Sequence, residues 1–163
     1  MTTNKAKKRI SEITNQIIQK KNEIDDLEKE LIDLETTLKY DNAKFVIKCS
    51  DSSLTLYNHL SSGDRLIDIY STNAASTYLA RSAKEKRAIA SSLFEEYLKN
   101  GTPRTIATSS AEALNEIGEI IAEKGIIPDD IKVILYSDEY PDGLISHYSR
   151  DGYLINWPMG ALN

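Results

Sequence analysis

Aliphatic residues recur at alternating steps of three and four from Ile10 to Leu38, and that spacing commits the N-terminal quarter of the chain to one structure. In heptads, the a positions are Ile10, Ile17, Ile24, Leu31 and Leu38, and the d positions are Ile13, Lys20, Leu27 and Leu34. Eight of the nine are aliphatic. A helix lying on a globular core drifts off a strict 3.5-residue repeat, whereas a coiled coil keeps it. Residues 7–40 therefore read as a helix that pairs with another helix, within a coiled-coil segment 1–42 followed by an α/β domain 43–163. Lys20 interrupts the seam. A polar residue there lowers stability and can fix register or oligomer state.

The charges divide along this helix. Residues 1–22 carry six basic residues and one acid, a net of +5; residues 23–42 carry eight acids and two lysines, a net of −6. A parallel homodimer would set Glu23 against Glu28 and Glu30 against Glu35, both repulsive. An antiparallel pairing sets the basic half on the acidic half, and a partner helix of complementary charge would do the same.

Residues 43–163 are enough for a core without covalent staples. The single cysteine, Cys49, excludes an intramolecular disulfide and fits a reducing cytoplasm, the expected location. Cys49, His59 and His147 are too far apart in sequence to suggest a metal site. No apolar run approaches a membrane span. The net charge of −5 disfavours nucleic-acid binding by the whole chain and leaves room for a local basic patch: Lys5, Lys7, Lys8 and Arg9, with Arg81, Lys84, Lys86 and Arg87 further on.

The second segment predicts a strand over 43–49, then a loop with a short element over 50–63. A helix is expected from about Ala74 to Asn100, its stripe formed by Tyr78, Leu79, Ile89, Leu93, Phe94, Tyr97 and Leu98, stopped by Asn100-Gly101. Arg104–Thr108 reads as a strand, Ser109 or Ser110 caps a helix running to Gly125, and Ile131–Tyr136 is a buried strand, together a βαβ unit. Leu144–Tyr148 and Tyr153–Trp157 form a C-terminal antiparallel hairpin. The expected fold class is α/β.

No glycine precedes a lysine in the spacing of a phosphate-binding loop, and nucleophile-elbow, zinc and dinucleotide signatures are missing. Thr108-Ser109-Ser110 followed by Glu112, and the tail Asp151-Gly152-Tyr153-Leu154-Ile155-Asn156-Trp157-Pro158-Met159-Gly160, are the distinctive stretches. Together they resemble the C-terminal part of ABC-like ATPases of the OLD (overcoming lysogenisation defect) type, in which a strand ends in Thr-His-Ser before Glu and a helix, and a later hairpin ends in Asp-Gly-x-x-x-x-Trp-Pro-x-Gly. The resemblance covers residues 104–160. It implies family-motif positions at Thr108, Ser109, Ser110, Glu112, Asp151, Gly152, Trp157 and Pro158. Leu60–Asp64 is similar to the family's signature loop, or Leu66–Ile69 to a decayed Walker B strand with Asp68 in the magnesium position. These two readings exclude one another, and a turn with an ordinary helix explains both. Ser109 stands where the family has its switch histidine.

The expectation is a non-enzymatic coiled-coil assembly protein without metal or cofactor, a homo-oligomer or partner in a hetero-coil. By resemblance it is a subunit or regulator of an ABC-like ATPase complex in anti-phage defence or DNA maintenance. The alternatives are a truncated or split ATPase fragment acting on a nucleotide site in trans, with Ser62, Gly63 and Ser109 near the nucleotide, and a nucleic-acid-binding accessory protein. Other candidates are an acidic turn at Asp138, Glu139 and Asp142, a packing role for His147 and Tyr148, and an excess of tyrosine suited to contact surfaces.

Overall fold

The computed structural model describes residues 2–71, 76–78 and 81–162. The chain forms two units, Met1–Lys39 and Tyr40–Asn163. The first is one helix, α1 (Thr3–Lys39), with no buried residue along its 37 positions. Its start is held by Thr2, whose Oγ1 accepts from the Lys5 N–H at 3.3 Å.

The second unit is α/β. Its elements in order are β1 (Phe45–Cys49), α2 (Ser53–Tyr57), β2 (Arg65–Leu66), β3 (Ile69–Ser71), β4 (Ser76–Tyr78), α3 (Ala83–Asn100), β5 (Arg104–Thr108) and α4 (Ala111–Lys124). A single 3-10 turn (Pro128–Asp130) then leads to β6 (Ile131–Leu135), β7 (Leu144–Tyr148) and β8 (Leu154–Ile155). Six strands form one sheet in the order β2-β5-β1-β6-β7-β8. The first four are parallel, with Ile47 of β1 opposite Ile106 on one side and Val133 on the other. The last two extend the sheet antiparallel, as the expected hairpin. Strands β5 and β6 are joined through α4 but are not neighbours, because β1 lies between them. The expected βαβ unit is thus a crossover spanning a third strand.

The expected helix over 74–100 is corrected. It begins at Ala83, and an antiparallel pair, β3 with β4, precedes it, with Ile69 opposite Tyr78. Ala74 and Leu79, which entered the expected helix, lie outside the described residues. The start has a local cause in Ser82-Ala83-Lys84-Glu85, a capping box: the Ser82 side chain accepts from the Glu85 N–H at 3.1 Å. The helix ends as expected, with Gly101 left-handed at φ 68° and its N–H donating to the Tyr97 carbonyl.

Alternation along the strands sorts the core into two faces. Phe45, Ile47, Cys49, Ile106, Ile131, Val133 and Leu135 face α3 and α4, where they meet Ala90, Phe94, Leu114, Ile117 and Ile121. On the other face Ala107 and Tyr136, with Leu66 and Ile134, are covered by Leu56 of α2 and by Leu60. Helices α3 and α4 are tied by Arg87, which reaches Glu112 at 2.7 Å, Glu116 at 3.1 Å and Glu119 at 3.2 Å.

The tail packs onto α4 backbone to backbone. A Cβ on Gly118 would overlap the Gly152 carbonyl, and one on Gly152 would overlap the Gly118 carbonyl. Gly152 also has φ 83°, a conformation that glycine adopts without strain. Beside this contact the buried Tyr148 hydroxyl donates to the Leu114 carbonyl at 2.7 Å, and Trp157 and Leu162 pack on the main core.

Candidate functional site

Four parallel strands place four carboxyl ends on one edge of the sheet. The connection after β1 enters α2 on one face, and the connection after β5 enters α4 on the other. Adjacent parallel strands whose following helices go to opposite faces open a crevice at their carboxyl ends, the usual ligand position in open α/β sheets. Ser50-Asp51-Ser52 follow β1, Thr108-Ser109-Ser110 close β5, Asp68 lies just past β2, and Tyr136-Ser137 follow β6.

The polar groups of this edge are turned on one another. Asp68 is fully buried. Its Oδ2 accepts from the Thr108 hydroxyl at 3.0 Å, and its Oδ1 from the Ser109 N–H at 2.9 Å and the Ser109 hydroxyl at 3.4 Å. Thr108 Oγ1 in turn accepts from the Ser110 N–H at 3.1 Å, and the Ser110 side chain caps α4 by accepting from the Glu112 N–H at 3.2 Å. The Glu112 carboxylate belongs to the Arg87 cluster. The fold therefore brings Asp68 against Thr108, Ser109 and Ser110. It carries Asp151 and Gly152 to the middle of α4, against Gly118, and sets Trp157 and Pro158 in the tail.

The β1 side of the crevice is closed by the C-terminal tail. Asp51 Oδ1 accepts from the Leu162 N–H at 2.7 Å, and the Ser52 side chain caps α2. A cavity of about 180 Å³ lies here, lined by Asp51, Ser137, Glu139, Tyr140, Pro158 and Met159. Drug-sized ligands occupy roughly 300–1,000 Å³, and two carboxylates in the lining oppose phosphate. The nearest cation on β1, Lys48, is engaged: its ammonium binds Asp64 at 2.8 Å, the His59 carbonyl at 2.8 Å and the Ser61 hydroxyl at 3.3 Å. Those contacts close Leu60–Asp64 into a turn that leaves Ser62 and Gly63 exposed.

The other candidates are used in packing. The His59 ring stacks on Tyr136 with centroids 3.8 Å apart, and His147 stacks on Tyr40 at 5.1 Å. Cys49 is fully buried, its thiol directed at the Ile134 carbonyl at 3.4 Å, and burial pushes that thiol far above its ordinary range. Among the described residues no group of three His, Cys, Asp or Glu side chains could hold a metal ion, and Asp138, Glu139 and Asp142 are exposed on a turn. Of the expected basic cluster Arg81, Lys84, Lys86 and Arg87, the first lies just before α3 and only Lys84 is exposed. Lys86 is buried and Arg87 is held by three glutamates, so the four residues do not form one open basic face.

The open surface is on α1. The eight aliphatic seam residues run from 40% exposed at Ile13 to 77% at Leu38, with Lys20 exposed among them. Among the described residues, no helix is long and apolar enough to cross a membrane.

Sequence reasoning missed the Gly118–Gly152 contact, the anchoring of Leu162 by Asp51, and the Lys48–Asp64 pair. The first had a signal: glycine inside a helix costs about 1 kcal/mol relative to alanine, so its presence at 118 marks a close backbone approach. Compared with family models, curated proteins and solved structures, the chain gives no match in any of the three.

Proposed function

We propose that this protein is a non-enzymatic assembly factor: α1 pairs with another helix, and the α/β unit carries the recognition surface. The observation behind this reading is the seam. Most helical stability in proteins comes from packing of an amphipathic face, and α1 exposes eight aliphatic side chains on one heptad stripe. Burying each contributes roughly 1.5–3 kcal/mol if the whole side chain is covered, which gives the helix a strong reason to find a partner. On the resemblance of residues 104–160, the setting is a complex that contains or regulates an ABC-like ATPase.

The reading as a split ATPase subunit draws on the meeting of Asp68 with Ser109. Against it stand the burial of Asp68, the occupation of both its oxygens, and the acidic lining of the adjoining cavity. Calorimetric titration with Mg-ATP separates the two. The assembly reading gives no binding heat, and tight binding would overturn it. Light scattering on Ile17→Asp/Leu31→Asp beside the wild type tests the seam. The wild type runs above its 18.3 kDa chain mass and the variant falls to it; an unchanged mass would remove α1 from assembly.

A further inference from the structure

We infer that the partner of α1 is a second copy of this chain, running antiparallel in one register with its two-fold axis beside Asn22. This rests on the pairing role proposed above and adds partner, direction and register to it. In an antiparallel pair, a positions face d positions, while g faces g and e faces e. Two registers a heptad apart each pair eight of the nine seam residues, and charge decides between them. The favoured one leaves only Leu38 over. It sets Ile10 on Leu34, Ile13 on Leu31, Ile17 on Leu27 and Lys20 on Ile24, each occurring twice by symmetry. All of these aliphatic side chains are exposed in the single chain. Sliding by a heptad one way leaves Leu31, Leu34 and Leu38 unpaired. Sliding the other way sets Ile13 on Leu38 and Lys20 on Leu31 and gains Lys21 on Glu28. That slide loses Lys7 on Glu35 and puts Glu23 against Glu30 twice, four glutamates for two Lys20 ammoniums.

Lys20 selects this arrangement. In a parallel dimer two Lys20 side chains share one core layer, and Glu23–Glu28 and Glu30–Glu35 face each other as like charges. In the antiparallel register each Lys20 packs on an isoleucine of the other copy. The d position borders the g side of the helix, so its ammonium reaches the axis where the two Glu23 carboxylates meet. Two lysines then neutralise two glutamates at the centre. The e positions add Lys7 opposite Glu35 at both ends. The one uncompensated contact across the seam is Lys21 with Lys21, at the surface, where like charges repel weakly. The net +5 half of one helix thus covers the net −6 half of the other. The two Lys39 ends lie about 50 Å apart along the axis at 1.5 Å per residue.

Cross-linking of the full chain with a short bismaleimide tests this. The buried Cys49 leaves the wild type without product and serves as the blank. Glu23→Cys meets itself only in the proposed register and gives a covalent dimer. Ile17→Cys, which meets itself only in a parallel dimer, gives none; adding Leu27→Cys to it restores the dimer. A covalent dimer from Ile17→Cys alone, or none from Glu23→Cys, overturns the direction or the register. Light scattering on the same wild-type sample separates the underlying pairing role: a dimer mass with the wrong cross-links sinks only this inference, whereas a monomer at every concentration sinks the second copy as partner.

Discussion

Replacing Gly118 with alanine sets two physical effects against each other and lets the sign decide. Gly118 lies inside α4, where alanine is favoured over glycine by about 1 kcal/mol. Taken alone, that makes the variant more stable. The structure predicts the reverse. The added methyl group overlaps the Gly152 carbonyl and meets the Tyr148 ring. To relieve the overlap, the turn between β7 and β8 must lift off α4. Overpacking of this kind costs roughly 1–3 kcal/mol. Lifting the turn also strains the buried bond from the Tyr148 hydroxyl to the Leu114 carbonyl, a further cost of about 1–2 kcal/mol. After subtracting the gain in helix propensity, the variant loses roughly 1–4 kcal/mol. With a urea slope of about 1–3 kcal/mol per molar, the unfolding midpoint falls by about 1 M. Trp157, the one tryptophan, sits in the tail that must move, so its fluorescence reports on this unit rather than on α1. Asn115→Ala, an exposed change on the same helix, is the control and leaves the midpoint level or higher. A midpoint for Gly118→Ala equal to or above the wild type would refute the backbone contact.

Three further outcomes follow from the same geometry. Asp68→Asn replaces one accepting oxygen with an NH2 facing a buried donor, and lowers the unfolding free energy by about 2–3 kcal/mol; no measurable change would mean that the Asp68–Thr108–Ser109 cluster is not formed. Burial raises the Tyr148 phenol well above its ordinary value and raises the Cys49 thiol as well. Both groups stay protonated in the fold, while their unfolded counterparts release protons near pH 10 and about 8.5. Their contribution to stability is whole below those values and is lost as pH rises above them; a denaturation midpoint that stays level from pH 8 to 11 would contradict this. Cys49 therefore reacts with a maleimide only as fast as the α/β unit opens, and rapid labelling under native conditions would show that the strand is not buried.

Local chemistry was legible, and pairing between distant segments was not. The heptads announced α1, Asn100-Gly101 announced the end of α3, and Ser110 before Glu112 announced α4, because each signal lies within one or two turns of chain. The start of α3 was missed although it was written in the same code. Tyr78 and Leu79 fall in step with the apolar stripe of α3 and drew the expected helix past the Ser82–Glu85 box. The α/β class and the C-terminal hairpin were readable from alternation and turn residues. The insertion of β1 between β5 and β6 was not, since strand order depends on contacts among segments tens of residues apart. The same limit applied to the edge cluster. Asp68 and Thr108 are 40 residues apart, and nothing near either one indicates that they meet. In the tail, Asp151-Gly152 stood out as a motif, and the structure gives its glycine a packing reason: it lets the turn touch α4.

The pairing of α1 is tested most directly by hydrogen exchange at its backbone amides across a dilution series. Pairing along the seam predicts protection of the amides from Ile10 to Leu34, rising with protein concentration while the α/β unit stays unchanged. Exchange of those amides at the rate of an unstructured chain at every concentration would contradict it.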